Sequence, residues 1–197
     1  ILNKRLVKFL DEMGILHECQ IGFKKGSRTA DHIFVFKCII ENAKSKSRKV
    51  FACFIDLQKA FDTVWREGLL YKLLQAGVSS KFARLLHNMY GSLRSAVKVD
   101  NMYRTQYFES CIGTRQGCNL SPILFNMFLN DLPSQLKQGE TNPVNLGSKQ
   151  INCLLYADDI VLLSNSAKGL QSSLDILGKF CTDWKLTVNL KNEAGHC

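Results

Sequence analysis

Two neighbouring carboxylates, Asp158 and Asp159, lie between the short aliphatic runs of LLYADDIVLL. Burying an unpaired carboxylate costs several kcal/mol, so this pair must be solvated, protonated or close to cations. A third carboxylate, Asp56, lies near the end of another apolar run, VFACFIDL. Mg²⁺ prefers carboxylate oxygen, and two such ions about 3.5–4 Å apart can activate an attacking hydroxyl and stabilise a leaving pyrophosphate. The three acids are therefore candidates for two-metal phosphoryl transfer; the alternative is ordinary turn chemistry at Asp158 and Asp159.

Two predicted strand elements must position these acids. The nearly all-apolar run 50–57 predicts a strand with both faces covered. The run INCLLYADDIVLLS predicts a β-hairpin with Asp158 and Asp159 at its tip. If the two elements are neighbours in one sheet, Asp56 and the tip converge at the sheet's edge. Because strand side chains alternate between faces, Asp158 and Asp159 cannot both point the same way, so one of them would join Asp56 and the other would support it.

The rest of the chain alternates irregularly between helical and strand patterns. Helix spacing and start signals predict helices over residues 1–18, from Thr29 and Asp31 onwards, in REGLLYKLLQAG and SKFARLLHNMYG, and after Ser121 and Pro122. A further amphipathic helix, AKGLQSSLDILGKFCTDW, precedes a final strand, KLTVNL, and short strands are expected near SAVKV and TQYFES. Residues 134–150 are polar and turn-rich, which predicts an exposed excursion. The pattern favours an α+β fold, an antiparallel sheet backed by helices.

Composition narrows the class of partner. The 197 residues carry 26 Lys and Arg against 17 Asp and Glu, a formal charge of +9, which favours nucleic acid over an acidic small molecule. The eight cysteines include no CxxC pair and are expected to be reduced thiols of a nuclear or cytoplasmic protein. No apolar run approaches membrane-spanning length, so no membrane partner is expected.

Several motifs in a fixed order carry a family resemblance. The segments FIDLQKAFDTV, GTRQGCNLSPILFNMFLNDL and YADDIVLLS together resemble reverse transcriptases, in particular those of non-LTR (LINE-type) retrotransposons. QIGFKKGSRTADHIF resembles the fingers of that family, and WKLTVNLK resembles the palm strand after the catalytic hairpin. The resemblance implies an RNA-directed DNA polymerase with a right-hand polymerase palm. Its implied division is partial fingers over 1–49 and mainly palm over 50–197, with a helical fingers insertion around 66–95.

The resemblance also implies roles for the acids. Asp56 and Asp158 would be the principal ligands of two Mg²⁺ ions, with Mn²⁺ possible, and Asp159 the third member of the catalytic triad. The backbone carbonyl of Leu57 would complete one ion's shell. Phe61 matches an aromatic steric gate beneath the sugar of the incoming nucleotide; the alternative is a core phenylalanine.

Contacts to nucleotide, template and primer are implied by the same resemblance. Gln116 and Gly117 match a loop that contacts the incoming nucleotide and the template, where glycine lets backbone approach a ligand closely. Basic residues of the fingers loop would lie near phosphates, although each is alternatively a solvated charge. The nucleotide-side set is Lys24, Lys25 and Arg28, and the template and primer set is Arg115, Ser121, Pro122 and Tyr156.

Three departures from the family pattern bear on whether the fragment itself is an active polymerase. An upstream fingers strand would precede Ile1, a thumb would follow Cys197, and Asn192 stands where relatives carry a lysine. The implied activity is dNTP addition to a DNA primer on an RNA template, weak or absent in the fragment alone. The alternative is a catalytically dead remnant that binds nucleic acid non-specifically. An RNA-dependent RNA polymerase ranks below both, because Phe61 and the ADD hairpin favour deoxynucleotides.

Overall fold

An antiparallel sheet of three strands lies at the centre of the computed structural model, which describes residues 1–91, 94–98, 103, 105–115 and 117–190. The strands of the described part are β1 (Phe51–Ile55), β2 (Arg94–Ser95), β3 (Phe108–Glu109), β4 (Val144–Leu146), β5 (Lys149–Ile151), β6 (Cys153–Tyr156) and β7 (Asp159–Ser164). The helices are α1 (Leu2–Glu12), α2 (Thr29–Ser45), α3 (Arg66–Gln75), α4 (Ser80–Gly91), α5 (Ser121–Leu129), α6 (Leu132–Gln138) and α7 (Ala167–Asp183).

The central sheet has the strand order β1-β7-β6. The register runs from Phe51 opposite Ser164 to Ile55 opposite Ile160, and β6 pairs with β7 as the predicted hairpin. Two irregular segments extend the sheet. Residues 19–21 pair in parallel with Leu155 of β6, and residues 187–189 pair antiparallel with the chain just after β1. The predicted final strand KLTVNL is thus a single bridge rather than a strand, while the α+β class is confirmed.

Helices α5 and α7 cover the core face of the sheet. The sequence of α5, SPILFNMFL, is apolar all round, and every residue from Ile123 to Leu129 is buried. A helix without a polar face must be enclosed by other elements. The proline at its first turn is tolerated because that amide has no helical partner. None of the helices in the described residues has the length and apolarity needed to cross a bilayer.

The expectation that β1 has both faces covered is wrong. Phe54 is 64% exposed, and its ring makes an edge contact with Phe36 on α2, 5.6 Å away between centroids. Helix α2 instead packs Ile39 against Leu154 and Leu163 of the hairpin. The unbroken apolar run of β1 therefore does not show how much of each sheet face the neighbouring helices cover.

The expectation of an exposed segment over 134–150 is confirmed, since most of its residues are exposed, but the segment is regular rather than an irregular excursion. The segment contains most of α6 and the paired strands β4 and β5, with Leu136 and Val144 buried. Hydrogen bonds at buried Thr141 hold the segment, since Thr141 donates to the Leu136 carbonyl and Ser164 of β7 donates to the Thr141 carbonyl. Near SAVKV and TQYFES the described residues form only the two-residue strands β2 and β3.

A buried lysine joins α3 to α5, α6 and α7. Lys72 is 8% exposed, donates to the carbonyl of Phe128 and pairs with Asp131. Its ammonium lies 3.7 Å from the ring centroid of Trp184 and 4.5 Å from that of Phe180. Burial lowers the pKa of Lys72 to about 8, and Asp131 opposes that shift.

The depressed pKa of Lys72 predicts a distinctive pH dependence of stability. Between pH 8 and the ordinary lysine pKa, the unfolded chain binds a proton that the folded chain releases, so the unfolding free energy rises with pH by up to about 1.4 kcal/mol per pH unit. Denaturant unfolding at pH 7.5, 8.5 and 9.5 should show a steeper rise in the unsubstituted chain than in Lys72→Met. Lys168→Met, at an exposed position of α7, is the control. An equal dependence of the unfolding free energy on pH in all three proteins would contradict a lowered pKa at Lys72.

Candidate active site

The register between β1 and β7 sets the geometry of the acids. Ile55 lies opposite Ile160, so the same register continued by one residue brings Asp56 opposite Asp159. Directly opposed residues of an antiparallel pair point to the same face. Asp158 lies beside them in the turn between Tyr156 and Asp159. The structure thus brings together the three acids that the sequence singled out.

Electrostatics shows that the three carboxylates interact. The pKa of Asp159 is raised by partial burial first, then by the negative charges of Asp158 and Asp56. Like charges this close disfavour one another's ionised form. A cation at this end of the sheet would relieve the repulsion.

The fit of divalent ions to this site follows from its donors. Carboxylate oxygens from two strands and a turn are the ligand type that Mg²⁺ requires. Within the described ranges, however, no three Asp, Glu, His or Cys side chains are already gathered closely enough to hold one ion. The donor chemistry of Asp56, Asp158 and Asp159 therefore fits divalent ions.

Asn189 is a site residue that sequence reasoning missed. Its side-chain amide donates to Oδ2 of Asp56 over 2.9 Å, and its backbone amide donates to the Asp56 carbonyl. Asn192, where relatives carry a lysine, lies outside the described residues. A usable signal was present, because WKLTVNLK, which contains Asn189, resembles the palm strand that follows the catalytic hairpin.

The turn that carries Asp158 has an unusual backbone. Ala157 has φ 56°, a left-handed conformation that residues with a Cβ adopt rarely. Tyr156 and Asp159 flank the turn as a cross-strand pair and line one shallow groove together with the exposed ring of Phe54. This groove gives the carboxylates an apolar border on one side.

Phe61 lies between the core and the loop formed by residues 21–28. Its ring centroid is 4.7 Å from that of Phe125 on α5 and 6.2 Å from that of Phe23 in the loop. The carbonyl of Phe61 accepts the backbone amide of Thr114. The ring is only partly buried, so it contacts the core on one side and remains accessible on another.

The basic residues of the 21–28 loop are exposed. Lys24 and Lys25 line a cavity together with Asp11 and Pro122. Arg28 precedes α2, where its backbone amide donates to Asp31. The loop therefore places two of the three cations at a cavity wall and the third at a helix start.

The loop before α5 holds the remaining predicted contacts. Arg115 is exposed, and its carbonyl accepts the hydroxyl of buried Ser121. Gly117 has φ 75° and open space around it, so its backbone conformation rather than crowding requires glycine. Gln116 lies outside the described residues.

Comparison with known proteins decides the family. The family model for reverse transcriptase (RNA-dependent DNA polymerase) matches residues 1–192. The chain belongs to the reverse transcriptase family. Members of this family generally use divalent metal ions and bind a nucleic-acid template and primer. The expected resemblance to the reverse transcriptases of non-LTR retrotransposons is confirmed by the relatives.

Two curated relatives illustrate the similarity of this reverse transcriptase domain. A "Probable RNA-directed DNA polymerase from transposon BS" of Drosophila melanogaster is 30% identical over 203 residues, which cover 100% of this chain and 22% of the relative. The RNA-directed DNA polymerase from mobile element jockey of Drosophila funebris is 29% identical over 185 residues, covering 90% of this chain and 19% of the relative. The chain thus spans about a fifth of the length of these relatives.

Solved structures support the fold. The apo telomerase of Candida tropicalis, truncated from its C-terminal domain, matches with a TM-score of 0.68 at 15% identity, over 100% of this chain and 40% of that one. The Candida tropicalis telomerase in complex with a fragment of telomeric RNA matches with a TM-score of 0.70 at 14% identity, over 98% and 34% of the two chains. At this identity the likeness shows a shared α+β fold.

The clustered carboxylates predict stabilisation by divalent ions. Mg²⁺ at ten times its dissociation constant should stabilise the chain by about 1.4 kcal/mol, which corresponds to a rise in melting temperature of about 3 °C or more. Asp56→Asn and Asp159→Asn should lose most of this rise, and Asp159→Asn should melt higher than the unsubstituted chain without metal because one repelling charge is gone. Asp175→Asn, at an exposed position of α7, is the control. An equal Mg²⁺ response in all four proteins would contradict a metal site here.

Proposed function

We propose that the chain contains the nucleotidyl-transfer centre of an RNA-directed DNA polymerase, which adds dNTPs to the 3′-hydroxyl of a DNA primer on an RNA template. The observation that carries this is the position of Asp56 beside the turn bearing Asp158 and Asp159, in a chain of the reverse transcriptase family. Because the chain spans about a fifth of its curated relatives, the activity of the whole protein is part of the proposal.

The carboxylates would act as ligands of two Mg²⁺ ions, with Mn²⁺ as a possible substitute. Asp56 and Asp158 would be the principal ligands, Asp159 the third acid, and the carbonyl of Leu57 a further donor. When bound, such ions activate the attacking hydroxyl and neutralise the leaving pyrophosphate. The chain's own contribution is to hold the carboxylates in register, with the Asn189 amide fixing the orientation of Asp56.

We propose that Phe61 selects the sugar of the incoming nucleotide. Its ring is supported from behind by Phe125 and flanked by Phe23, so it is held in place by neighbouring aromatic rings. A ring fixed beneath the sugar would clash with a 2′-hydroxyl and favour deoxynucleotides. The alternative, that Phe61 only fills the core, predicts no effect on sugar selection.

The remaining contacts follow the family pattern. We propose that the loop of residues 21–28 and the loop before α5 face the incoming nucleotide and the template, within a division into partial fingers over 1–49 and mainly palm over 50–197, with a fingers insertion around 66–95. Exposed cations and polar backbone in both loops support phosphate contacts. The nucleotide-side residues are Lys24, Lys25, Arg28, Gln116 and Gly117; those for template and primer are Arg115, Ser121, Pro122 and Tyr156.

Primer extension tests the reaction directly. With an oligo(dT) primer on poly(rA) and either Mg²⁺ or Mn²⁺, Asp158→Asn should reduce the rate of dTMP incorporation on the order of 100-fold or more, because a metal-bound carboxylate stabilises charge that develops in the transition state. Asp175→Asn should retain the rate of the unsubstituted chain. Incorporation by the unsubstituted chain that does not exceed that of Asp158→Asn would contradict the proposal.

The gate predicts a change in sugar selectivity. Phe61→Val should raise kcat/KM for a ribonucleotide relative to the matching deoxynucleotide by about tenfold or more, because the smaller side chain leaves room for the 2′-hydroxyl. Phe34→Val, at an exposed position of α2, should leave the ratio unchanged. The two-substrate ratio is insensitive to the fraction of active protein, so an unchanged ratio in Phe61→Val would assign Phe61 to the core alone.

A second candidate function is non-specific binding of nucleic acid without catalysis. It is favoured by the charge of +9 and by the absence, among the described residues, of three acids already gathered around one ion site. The logarithm of the binding constant should then fall linearly with the logarithm of the salt concentration, and the chain should bind different nucleic-acid sequences equally well. Salt-sensitive binding by both the unsubstituted chain and Asp158→Asn, without any incorporation, would identify this function.

A further inference from the structure

Gln20 is almost wholly buried and bonds to the backbone of the turn that bears Asp158. The side chain is 1% exposed. Its Nε2 donates to the carbonyl of Ala157 over 3.2 Å, and its Oε1 accepts the amide of Ala157 over 3.0 Å. The same oxygen accepts the amide of Gly22 over 2.9 Å. One amide side chain thus satisfies both backbone groups of the residue that precedes Asp158.

Ala157 needs such support because of its conformation. It has φ 56°, which is sparsely populated by residues with a Cβ and persists only where surrounding contacts determine it. Residue 157 is the first residue of the two-residue turn between Tyr156 and Asp159, so its backbone direction sets where Asp158 leaves the hairpin. The bonds to Gln20 fix that direction.

The segment that carries Gln20 is itself held firmly. A Cβ added to Gly22 would lie 2.3 Å from the Ala157 nitrogen, so this segment and the turn are in backbone contact. Asn126 on the core helix α5 donates to the Gly22 carbonyl over 2.6 Å. The ring of His32 on α2 lies within 3.1 Å of the carbonyls of Cys19 and Leu155. Two helices therefore anchor the support that holds the turn.

We propose that Gln20 is a positioning residue, which fixes the Ala157 backbone and thereby holds the Asp158 carboxylate where the reaction needs it. The inference rests on the proposed polymerase function. The Gln20 side chain bonds to the backbones of Ala157 and Gly22, so its effect on catalysis passes through the backbone of Ala157. The same segment continues into the loop with Lys24 and Lys25, so the position of that loop and the position of Asp158 are linked through one side chain.

The test replaces the amide while keeping its volume. Gln20→Met removes all three hydrogen bonds, and Thr141→Val, which removes one buried hydrogen bond to Leu136, is a control for a loss of buried bonding elsewhere. Three measurements are compared: thermal unfolding, hydrogen–deuterium exchange of a peptide covering residues 155–160, and primer extension resolved into kcat and KM for dTTP. Gln20→Asn, whose shorter amide cannot make both bonds to Ala157, serves if Gln20→Met does not fold.

We expect Gln20→Met to lose kcat selectively. In Gln20→Met, kcat should fall on the order of 100-fold, the effect of misplacing a reacting group by about 1 Å, while KM for dTTP stays within about threefold. Exchange in the 155–160 peptide should rise about tenfold or more, because the Ala157 amide loses its acceptor. Thr141→Val should change neither quantity by more than about twofold at a temperature where both variants are folded.

A rescue variant separates positioning from general stability. Glycine adopts positive φ without strain, so Ala157→Gly in the Gln20→Met background should recover about tenfold of the lost kcat. An unchanged kcat in folded Gln20→Met, or a fall matched by Thr141→Val, would overturn the proposal. If the unsubstituted chain incorporates no nucleotide, the polymerase function fails, and the exchange measurement alone decides whether Gln20 holds the turn. Unchanged exchange of the 155–160 peptide in Gln20→Met would then show that Gln20 does not hold the turn.

Discussion

The antiparallel pairing of β1 with β7 is the interaction on which the candidate site depends. A shift of one residue in this register would turn Asp56 away from Asp159 and move a core side chain into solvent. The same pairing forces like charges together, as the raised pKa of Asp159 reflects. The site therefore stores electrostatic repulsion that the burial of the neighbouring strands must offset, and that a bound cation would remove.

The apolar core supplies that offset directly beside the acids, since Ile55 precedes Asp56 and Ile160 follows Asp159. Ile55, Leu155 and Ile160 belong to one buried cluster with the residues of α5, so packing fixes the strands immediately beside the acids. Lys72 and the aromatic rings around Trp184 join the helices behind this core. Burial of the core side chains therefore fixes the strand register, and the register fixes the positions of the carboxylates.

Two amide side chains refine the positions of the acids from opposite edges of the sheet. Gln20 belongs to the segment that pairs with β6, and Asn189 belongs to the segment that pairs with the end of β1. Each brings a donor to the backbone or carboxylate next to an acid, Gln20 at Ala157 and Asn189 at Asp56. Neutral amides suit this task because they bond to polar groups without adding charge to a crowded anionic site.

Local spacing and motifs in a fixed order are enough to predict the helices with clear periodicity, the hairpin, the α+β class and the three acids. Three features became visible only once the elements were packed together: the fold of residues 134–150 into α6 and a strand pair, the exposure of Phe54, and the bonds between Gln20 and Ala157. Gln20 and Ala157 are 137 residues apart. Contacts of this kind arise from which faces the packed elements leave adjacent, and neither the periodicity nor the composition of a segment contains that information.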